Sequence, residues 1–558
     1  MKKNMRSKWK FSLLLLSVLA LSATAACSGS EAGKETADAE ETGTATGNVP
    51  ADGAKSGGPL GKYDPPITLR TTLTDKAKDS LDAGDTLENN VWTRGYEREL
   101  GIKVTYDWIV EGSNAGEKMN LTLASGDLPD ILAVNQAQYK QLLEAGQLAD
   151  LTEVYEQHAS DLVKQFYAMG ADGLQPTKQD GKLYGLTYYS GSYDTSPMLW
   201  IRTDWMKQLN LDPPQTMDDV IAIAKAFTEQ DPDRNGENDT YGLALNKGLT
   251  SGGDINPTGF MNGYHAYPGV WLEDESGALA YGSIQPEMRT ALAKLRELYA
   301  GGYIDPEFGT KDLSKSAETV MAGRIGLFFG YMTSPFAVSG MMKDGSEADW
   351  LPYPIPSADD KPALVQNNID YGEIFAVRKD YEHPEALIQL MNFQVEKSYG
   401  ESSKSEAAAS YFGKEGFAPV RLLQPNKNIG IYNHVVDALE VNDPSGLNIE
   451  ETSYYDGIQS YRGGDRSAWW FERIFGPDSS QSIIQHYIDN DLIKLNEFVH
   501  PSTDTMTAKG ATLGKLELET FVKIIYGQDP IEAFDQFVKN WKALGGDQMT
   551  KEVNQIAQ

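Results

Sequence analysis

Oxygen-bearing side chains recur at every second position between residues 231 and 239. They are Asp231, Asp233, Asn235, Glu237 and Asp239. Gly236 falls where the calcium loop of an EF-hand turns sharply, and carboxylate and amide oxygens are the ligands that Ca²⁺ prefers. The glutamate that closes an EF-hand is missing, because Gly242 stands at the twelfth position. The spacing therefore predicts a structural calcium loop that is not an EF-hand, with a solvated acidic turn as the alternative.

Aromatic residues are the second chemical signal, with 10 Trp, 28 Tyr and 18 Phe. The C–H faces of sugars stack on aromatic rings, while sugar hydroxyl groups bind planar polar side chains. Candidates for sugar contact are aromatics beside Gly, Ser, Asn or Asp in predicted loops, namely Trp92, Tyr188, Tyr189, Tyr331, Tyr371 and Trp469. Candidate polar partners are Arg202, Asn135, Asp370, Glu373, Asp465 and Arg466. Packing in a core is the alternative for each aromatic.

The N-terminus has the three parts of a secretory signal peptide. A basic start precedes an apolar run over 11–21, and small residues follow up to Cys27. The apolar run is short for a transmembrane helix, which needs about 20 residues. Residues 24–27 resemble the bacterial lipobox, in which the cysteine becomes the lipidated N-terminus. We therefore predict a signal peptide over 1–26 and lipidation of Cys27, with a plain secreted protein and a free Cys27 as the alternative.

Residues 27–62 predict a flexible tether. Beyond Cys27 they are mostly Gly, Ala, Thr, Ser and Glu, with almost no large apolar side chain. Such a stretch cannot bury enough surface to offset the entropy lost on ordering. A linker of this kind holds a domain away from a membrane surface.

Composition excludes several function classes. The formal charge is −31 at pH 7, so phosphate backbones repel the chain and nucleic-acid binding is not expected. With one Cys, neither an intrachain disulfide nor a cysteine-ligated zinc site can form. The segment 510–516 is one residue short of a P-loop and lacks its final Ser or Thr. ATP hydrolysis must then belong to a partner.

The length of 558 residues predicts two or three domain-sized units. Apolar residues alternate as in strands near positions 67 and 104, and helical spacing follows a capping-box pattern at Thr216. Pro286 stands where the first residue of a helix is expected. Alternating strands and helices predict an α/β architecture with largely parallel sheets.

Several segments, in the same order along the chain, resemble the bacterial extracellular solute-binding protein family 1, in particular its large Gram-positive lipoproteins. The matching segments are LASGDLPDI from residue 123, GKLYGLTY from 181, LWIRTDWMKQLNLDPPQTMDD from 199, DPDRNGENDTYGL from 231 and FVKIIYGQDPIEAFDQFVKNWKALGG from 521. The resemblance covers most of the chain beyond residue 120. It implies two α/β lobes of the type II periplasmic-binding-protein kind, joined by a hinge, with solute bound in the cleft between them. Some members of the family hold calcium in a loop like that at 231–239.

Transferred to this chain, the resemblance implies one lobe of 64–187 and 351–418 and another of 188–350 and 419–558. The implied function is capture of an oligosaccharide, preferably neutral, for the transmembrane subunits of an ABC importer. The expected protein is a monomer without catalytic residues, lipid-anchored at the extracellular face of the cell membrane. Tyr189→Ala or Trp469→Ala should then weaken binding without unfolding the protein. Alternatives are a secreted glycoside hydrolase with paired carboxylates, a ligand-sensing subunit of a membrane receptor, and a peptide or other metabolite as solute.

Overall fold

The alternating residues near positions 67 and 104 form two parallel strands, in which Leu69 faces Val104. The computed structural model describes residues 58–75, 81–169, 173–189, 192–250, 252–343, 345–368, 371–405 and 409–557. The predicted signal peptide, Cys27, the tether up to residue 57 and Asp370 lie outside the described residues. All the described residues belong to one compact unit.

The strands are short and spread along the whole chain. In order they are β1 Ile67–Asp75, β2 Ile102–Glu111, β3 Ile131–Val134, β4 Lys178–Gln179, β5 Lys182–Leu183, β6 Leu186–Thr187, β7 Met198–Arg202, β8 Tyr241–Leu243, β9 Trp271–Glu273, β10 Leu279–Tyr281, β11 Ile325–Gly330, β12 Trp350–Tyr353, β13 Val365–Asn367, β14 Ile374–Val377 and β15 Ile493–Leu495.

Helices separate most of these strands. In order they are α1 Val91–Gly95, α2 Gly112–Ser125, α3 Gln136–Glu144, α4 Thr152–His158, α5 Asp161–Ala168, α6 Thr203–Leu209, α7 Met217–Glu229, α8 Thr258–Gly263, α9 Pro286–Ala300, α10 Leu313–Met321, α11 Ser334–Val338, α12 Glu385–Tyr399, α13 Lys427–Val441, α14 Ile449–Arg462, α15 Trp469–Phe475, α16 Ser480–Asp489, α17 Asp504–Ile525, α18 Ala533–Trp541 and α19 Asp547–Ala557.

Local sequence signals account for where several helices begin. The Thr216 side chain accepts from the backbone N–H of Asp219, whose side chain accepts from the N–H of Thr216, so the predicted capping box at α7 is confirmed. Pro286 is the first residue of α9, also as predicted. Asn90 caps α1 in the same reciprocal way with Thr93, which starts that helix at residue 91.

The buried apolar residues form four clusters that fall into two groups. We define the first core group as the two clusters built from 63–189 and 371–422. The second core group comprises the two clusters built from 198–365 and 431–553. Each group therefore draws on two stretches of chain, and the chain passes between the groups three times, near residues 190–197, 366–370 and 423–430.

The sheets are mixed, and the prediction of largely parallel sheets is wrong. In the first core group, β14 lies between β3 and β6 and is antiparallel to both. In the second, the order is β12-β7-β11-β8, with β7 antiparallel to both of its neighbours. Helical crossovers favour parallel pairing between successive strands. β7, however, runs opposite to the other three strands of its sheet, and β14, from a later part of the chain, runs opposite to both of its neighbours.

Strand pairing assigns residues 350–367 to the second core group. β12 pairs with β7, with Leu351 opposite Ile201, and β13 pairs with β15, with Val365 opposite Ile493. The boundary predicted from the sequence places residues 351–367 in the first lobe instead. The chain returns to the first group only after β13. None of the helices in the described residues is long and apolar enough to cross a membrane.

Candidate functional site

A pocket lies at the strand ends of the first core group. Its cavity volume is about 140 Å³. Its lining comes from β1, β2, α2, the end of β3, the start of α3 and two returning segments, and comprises Thr72, Thr74, Trp108, Ala115, Gly116, Met119, Ala133, Val134, Asn135, Gln138, Glu373, Pro419 and Arg421. Ligands of two-layer α/β proteins commonly bind at such strand ends, because loops of several strands converge there.

The amide groups in the pocket are held by a helix cap. Asn135 precedes α3 and its Oδ1 accepts from the N–H of Gln138 at 2.9 Å, while the Oε1 of Gln138 accepts from the N–H of Asn135 at 3.1 Å. The Nε2 of Gln138 donates to the Oδ1 of Asn120 at 2.8 Å and to the carbonyl of Gly116 at 3.1 Å. Both amides therefore keep a fixed orientation at the pocket wall.

An aromatic ring lies beside these amides. Trp108 is half-buried on β2, and its Nε1 donates to the Oγ1 of Thr122 at 2.9 Å. The hydrogen bond anchors the indole to α2, and the side chain also packs on the small apolar cluster of the first core group. An anchored, partly exposed indole can stack on the C–H face of a sugar ring, and the fixed amides beside it can bind the sugar hydroxyls.

The charged part of the pocket is an ion pair. The Nη2 of Arg421 lies 3.2 Å from the Oε2 of Glu373, and the guanidinium carbon lies 5.0 Å from the centre of the Tyr188 ring. Tyr188 is tied to the same place, because its N–H donates to the carbonyl of Glu373 at 2.7 Å. Gly372 leaves room for the tyrosine, since a Cβ there would lie 2.7 Å from the ring.

The three crossing segments are bonded to one another next to this pocket. The Nδ2 of Asn367 donates to the hydroxyls of Thr195 and Ser196 at 3.2 and 3.1 Å. The N–H of Leu423 donates to the carbonyl of Tyr189 at 3.3 Å. Since these segments join the two core groups, any change in the angle between the groups must be absorbed here.

Polar residues also cluster where β11 of the second core group ends. The carboxylate of Asp254 accepts a hydrogen bond from the Thr333 hydroxyl, and burial raises the pKa of this carboxyl group above its usual value. Tyr331 is half-buried beside it, and burial likewise raises the pKa of its phenol. Asp194, in the first crossing segment, accepts from Asn428 at 2.7 Å and from Gln481 at 3.0 Å.

Most of the predicted contact residues lie in cores. Trp92 is fully buried, with its Nε1 donating to the carbonyl of Lys414 at 2.7 Å. Tyr189 is fully buried and stacks on Tyr371, with the ring centres 5.6 Å apart. Trp469 is fully buried, and its Nε1 donates to a carboxylate oxygen of Asp349 at 2.8 Å.

Arg202 also has structural partners. It is buried, forms an ion pair with Asp204 and lies 4.4 Å above the Trp205 ring. Among the predicted aromatics, Tyr188 packs against a pocket residue, Arg421. Solute contact by Trp92, Tyr189, Arg202, Tyr371 and Trp469 stays a prediction that their burial does not favour.

The predicted polar partners divide in the same way. Asn135 and Glu373 line the pocket. Asp465 and Arg466 lie in the second core group, where Asp465 caps the turn before α15 and Arg466 donates to the carbonyl of Ala348 at 2.6 Å. The sequence reasoning missed Trp108, Gln138 and Arg421. The alternating pattern of β2 indicated that Trp108 lies on a strand face. No pattern in the sequence around Arg421 indicated a role in a site.

The acidic loop folds so that four of its five predicted ligands converge. The Nδ2 of Asn235 donates to Asp233 at 3.0 Å and to Asp239 at 3.1 Å, and its N–H donates to Asp231 at 3.1 Å. Glu237 contacts this group through its backbone, because its N–H donates to the Oδ1 of Asn235 at 2.6 Å. Partial burial and the neighbouring carboxylates of Asp231 and Asp239 raise the pKa of Asp233.

Crowded carboxyl groups have raised pKa values when no cation neutralises them. The possible ligands in this loop are all oxygen atoms, and such a donor set fits a hard cation such as Ca²⁺. Within the described ranges, however, no three side chains of His, Cys, Asp and Glu are grouped so that they could hold a metal ion. A cation here would need the amide oxygen of Asn235, backbone carbonyls or water to complete its shell.

Comparison with known proteins identifies a family and a fold. The model of the family described as bacterial extracellular solute-binding protein matches residues 77–401. Lipoprotein LipO of Bacillus subtilis is 24% identical over 481 residues, which are 83% of this chain and 88% of LipO. The polygalacturonan/rhamnogalacturonan-binding protein YtcQ of the same organism is 28% identical over 243 residues, which are 42% of this chain and 45% of YtcQ.

Two solved structures share the fold at low identity. One is a solute-binding protein from Bifidobacterium longum infantis, associated with an ABC transporter that binds HMO, with 16% identity and a TM-score of 0.61 over 88% of this chain and 98% of that chain. The other is an EF-hand mutant of FusA from S. pneumoniae with fructo-nystose, with 16% identity and a TM-score of 0.57 over 88% and 99%. The fold is therefore the predicted α/β, two-lobed, type II periplasmic-binding-protein fold.

Proposed function

Because the chain belongs to the bacterial extracellular solute-binding protein family, we propose that it captures an oligosaccharide between its lobes for an ABC importer. The observation that carries this proposal is the pocket in which the Trp108 indole lies beside the fixed amides of Asn135 and Gln138. The sugar ligands named for YtcQ and FusA support the same class of solute. The protein binds the sugar and does no chemistry on it.

The mechanism is closure of the lobes. We assign the first core group to one lobe and the second to the other. Relative to the sequence-based boundaries, this moves residues 351–367 into the second lobe and residues 188–189 and 419–422 into the first. The pocket on the first lobe and the Asp254 and Tyr331 region on the second are the two faces that enclose the solute. The closed form is then recognised by the transmembrane subunits of the importer.

Lipidation of Cys27 holds the monomeric protein at the extracellular face of the membrane. The similarity to LipO, which is named a lipoprotein, supports this part of the proposal. A tether that starts at residue 27 and ends before Pro59 and Gly61, whose carbonyls accept from Asn392 and Gln389 of α12, raises the local concentration of the loaded protein near its transporter. The anchor can be tested by metabolic labelling with an alkyne fatty acid, which should label the protein but not Cys27→Ser.

Ca²⁺ in the 231–239 loop has a structural role. Asp231, Asp233, Asn235 and Asp239 would hold the ion, with Glu237 at the rim. The cation would neutralise the crowded carboxylates and fix the connection between α7 and β8. The FusA protein of similar fold carries a mutated EF-hand, and the presence of such a motif on this fold supports an ion in the loop.

The test of the proposed function is titration calorimetry of the purified full-length protein with a panel of oligosaccharides, combined with an assay for their hydrolysis. We expect saturable binding without turnover, and at least tenfold weaker binding by Trp108→Ala. Val441→Ala, a change at an exposed position on α13, is the control and should bind like the wild type. Turnover of any probe would favour the glycoside hydrolase, and silence across the panel would reject a sugar as solute.

A further inference from the structure

The charges that line the pocket cancel each other. Among its described lining residues, Glu373 and Arg421 are the charged ones, and they pair with each other. The other polar groups that face the pocket are amides and hydroxyls. A site with no net charge differs from sites for anionic ligands, in which the positive charge of an arginine is left uncompensated until the ligand binds.

The charge of Arg421 is neutralised by its partner, so an incoming anion does not meet a free cation. Its side chain is 13% exposed, with the carboxylate of Glu373 on one side and the ring of Tyr188 below its plane. The pair is anchored, because Tyr188 is hydrogen-bonded to the backbone of Glu373. A carboxylate that approached the guanidinium would have to displace Glu373 or lie beside it.

Two effects oppose a sugar acid at this place. A second carboxylate close to Glu373 meets like-charge repulsion, which partial burial strengthens. The formal charge of −31 also repels a polyanion at longer range. Sugar hydroxyls meet no such cost, because a hydroxyl both donates and accepts and so can bind a carboxylate and a guanidinium together.

We propose that the pocket selects uncharged oligosaccharides and that Glu373 is the residue that excludes uronic acid chains. This inference rests on the proposed function and narrows it to a class of substrate. The similarity to YtcQ, named for binding polygalacturonan and rhamnogalacturonan, makes the distinction between neutral and acidic sugars a direct one to test.

The experiment compares acidic oligosaccharides with their neutral esters and with other neutral oligosaccharides. The full-length protein is titrated calorimetrically with oligogalacturonates of three to six residues, with their methyl esters, and with neutral galacto-, fructo-, malto- and cello-oligosaccharides. We expect at least one neutral probe to bind, and the free acids to bind at least tenfold more weakly than the best neutral probe. The same series is then run on Glu373→Gln at low and at physiological salt.

The Glu373→Gln variant should gain affinity for the free acids. We expect Glu373→Gln to bind the free acids at least tenfold more tightly than the wild type does, with a gain that shrinks as salt rises. Its urea-unfolding midpoint should stay close to that of the wild type, which shows that the variant remains folded. Glu382→Gln, an exposed residue beyond the other end of β14, removes the same charge and should leave the affinities for acidic and neutral probes unchanged.

The outcomes separate this inference from the proposed function. Wild-type protein that binds a free acid as tightly as the best neutral probe would overturn the charge selection and leave sugar binding intact. So would a Glu373→Gln variant with an unchanged preference. Absence of binding by every probe, charged or neutral, would overturn the proposed function and this inference together.

Discussion

The ammonium group of Lys140 contacts the carboxylate of Asp504, and this ion pair joins α3 of the first core group to the start of α17 in the second. Two hydrogen bonds accompany it. The Nζ of Lys140 donates to the carbonyl of Ser502 at 3.4 Å, and the Ser502 hydroxyl donates to Gln136 at 3.5 Å. Val499 packs on the first core group just before them. The segment 499–504 is therefore a non-covalent bridge between the groups.

We predict that this bridge contributes to solute affinity by favouring the observed arrangement of the groups. The Asp504 side chain is 86% exposed, so the pair should contribute about 0.2–1 kcal/mol and should weaken with salt. A double-mutant cycle of Lys140→Met and Asp504→Asn, read out by solute affinity, measures the coupling. The cycle also corrects for the loss of a favourable charge at the start of α17. Zero coupling at low salt would contradict the prediction.

Removal of Ca²⁺ should lower thermal stability through the 231–239 loop. A cation at 100 times its dissociation constant stabilises the folded state by about 2.7 kcal/mol. We expect a chelator to lower the Tm of the wild type and to have little further effect on Asp233→Asn. Asp443→Asn, in a separate exposed turn where Asp443 accepts from Ser445, is the matched control and should keep the chelator response. Equal chelator responses of all three proteins would exclude this loop as the site.

Glu517 should make stability depend on pH. Burial raises its pKa from about 4.5 to about 7, and its carboxyl group bonds to Ser283 and Tyr281. Because the folded state holds the proton more tightly than the unfolded state, the stabilisation is complete below pH 4.5. It is lost as the pH rises towards 7 and above. The shift corresponds to about 3 kcal/mol in the free energy of unfolding.

The Glu517→Gln variant tests this assignment. The amide keeps a hydrogen-bonding group in place but does not ionise, so urea unfolding at pH 5 and pH 8 should differ less for the variant than for the wild type. Glu519→Gln changes an exposed residue of the same helix and should behave like the wild type. A variant with the full wild-type pH dependence would assign the effect to other groups.

Substitution of Trp469 should mainly lower stability, whereas substitution of Trp108 should mainly weaken binding. Trp469 is fully buried and bonded to Asp349, so Trp469→Ala should cost about 3–5 kcal/mol of stability, and Tyr189→Ala, also fully buried, should destabilise as well. The half-buried Trp108 lines the pocket, so Trp108→Ala should mainly weaken solute binding. Urea unfolding and calorimetry of each variant decide the matter. Weakened binding by Trp469→Ala at wild-type stability would favour the original expectation from the sequence.

Much of the local structure could be predicted from local patterns. The capping box at Thr216, the helix start at Pro286 and the strand pair around Leu69 and Val104 all formed as predicted, since each depends on residues close in sequence or on a simple periodicity. The convergence of side chains between Asp231 and Asp239 is local in the same sense, because alternate positions of one tight loop point to the same side. The family was also evident from several segments that occur in the family's order along the chain.

The sequence by itself thus determined the two-lobed α/β class, the local elements and the acidic loop, while the tertiary structure decided which side chains meet. Apolar patterning shows that an aromatic residue is buried on one side, but not whether the other side faces a core or a pocket. Trp469 and Trp108 therefore look alike in sequence and differ in the fold. Arg421 pairs with Glu373 across 48 positions within one stretch of the first core group, and Lys140 pairs with Asp504 across 364. Tertiary packing brings both pairs together, and for Lys140 and Asp504 this requires the chain to cross between the two core groups.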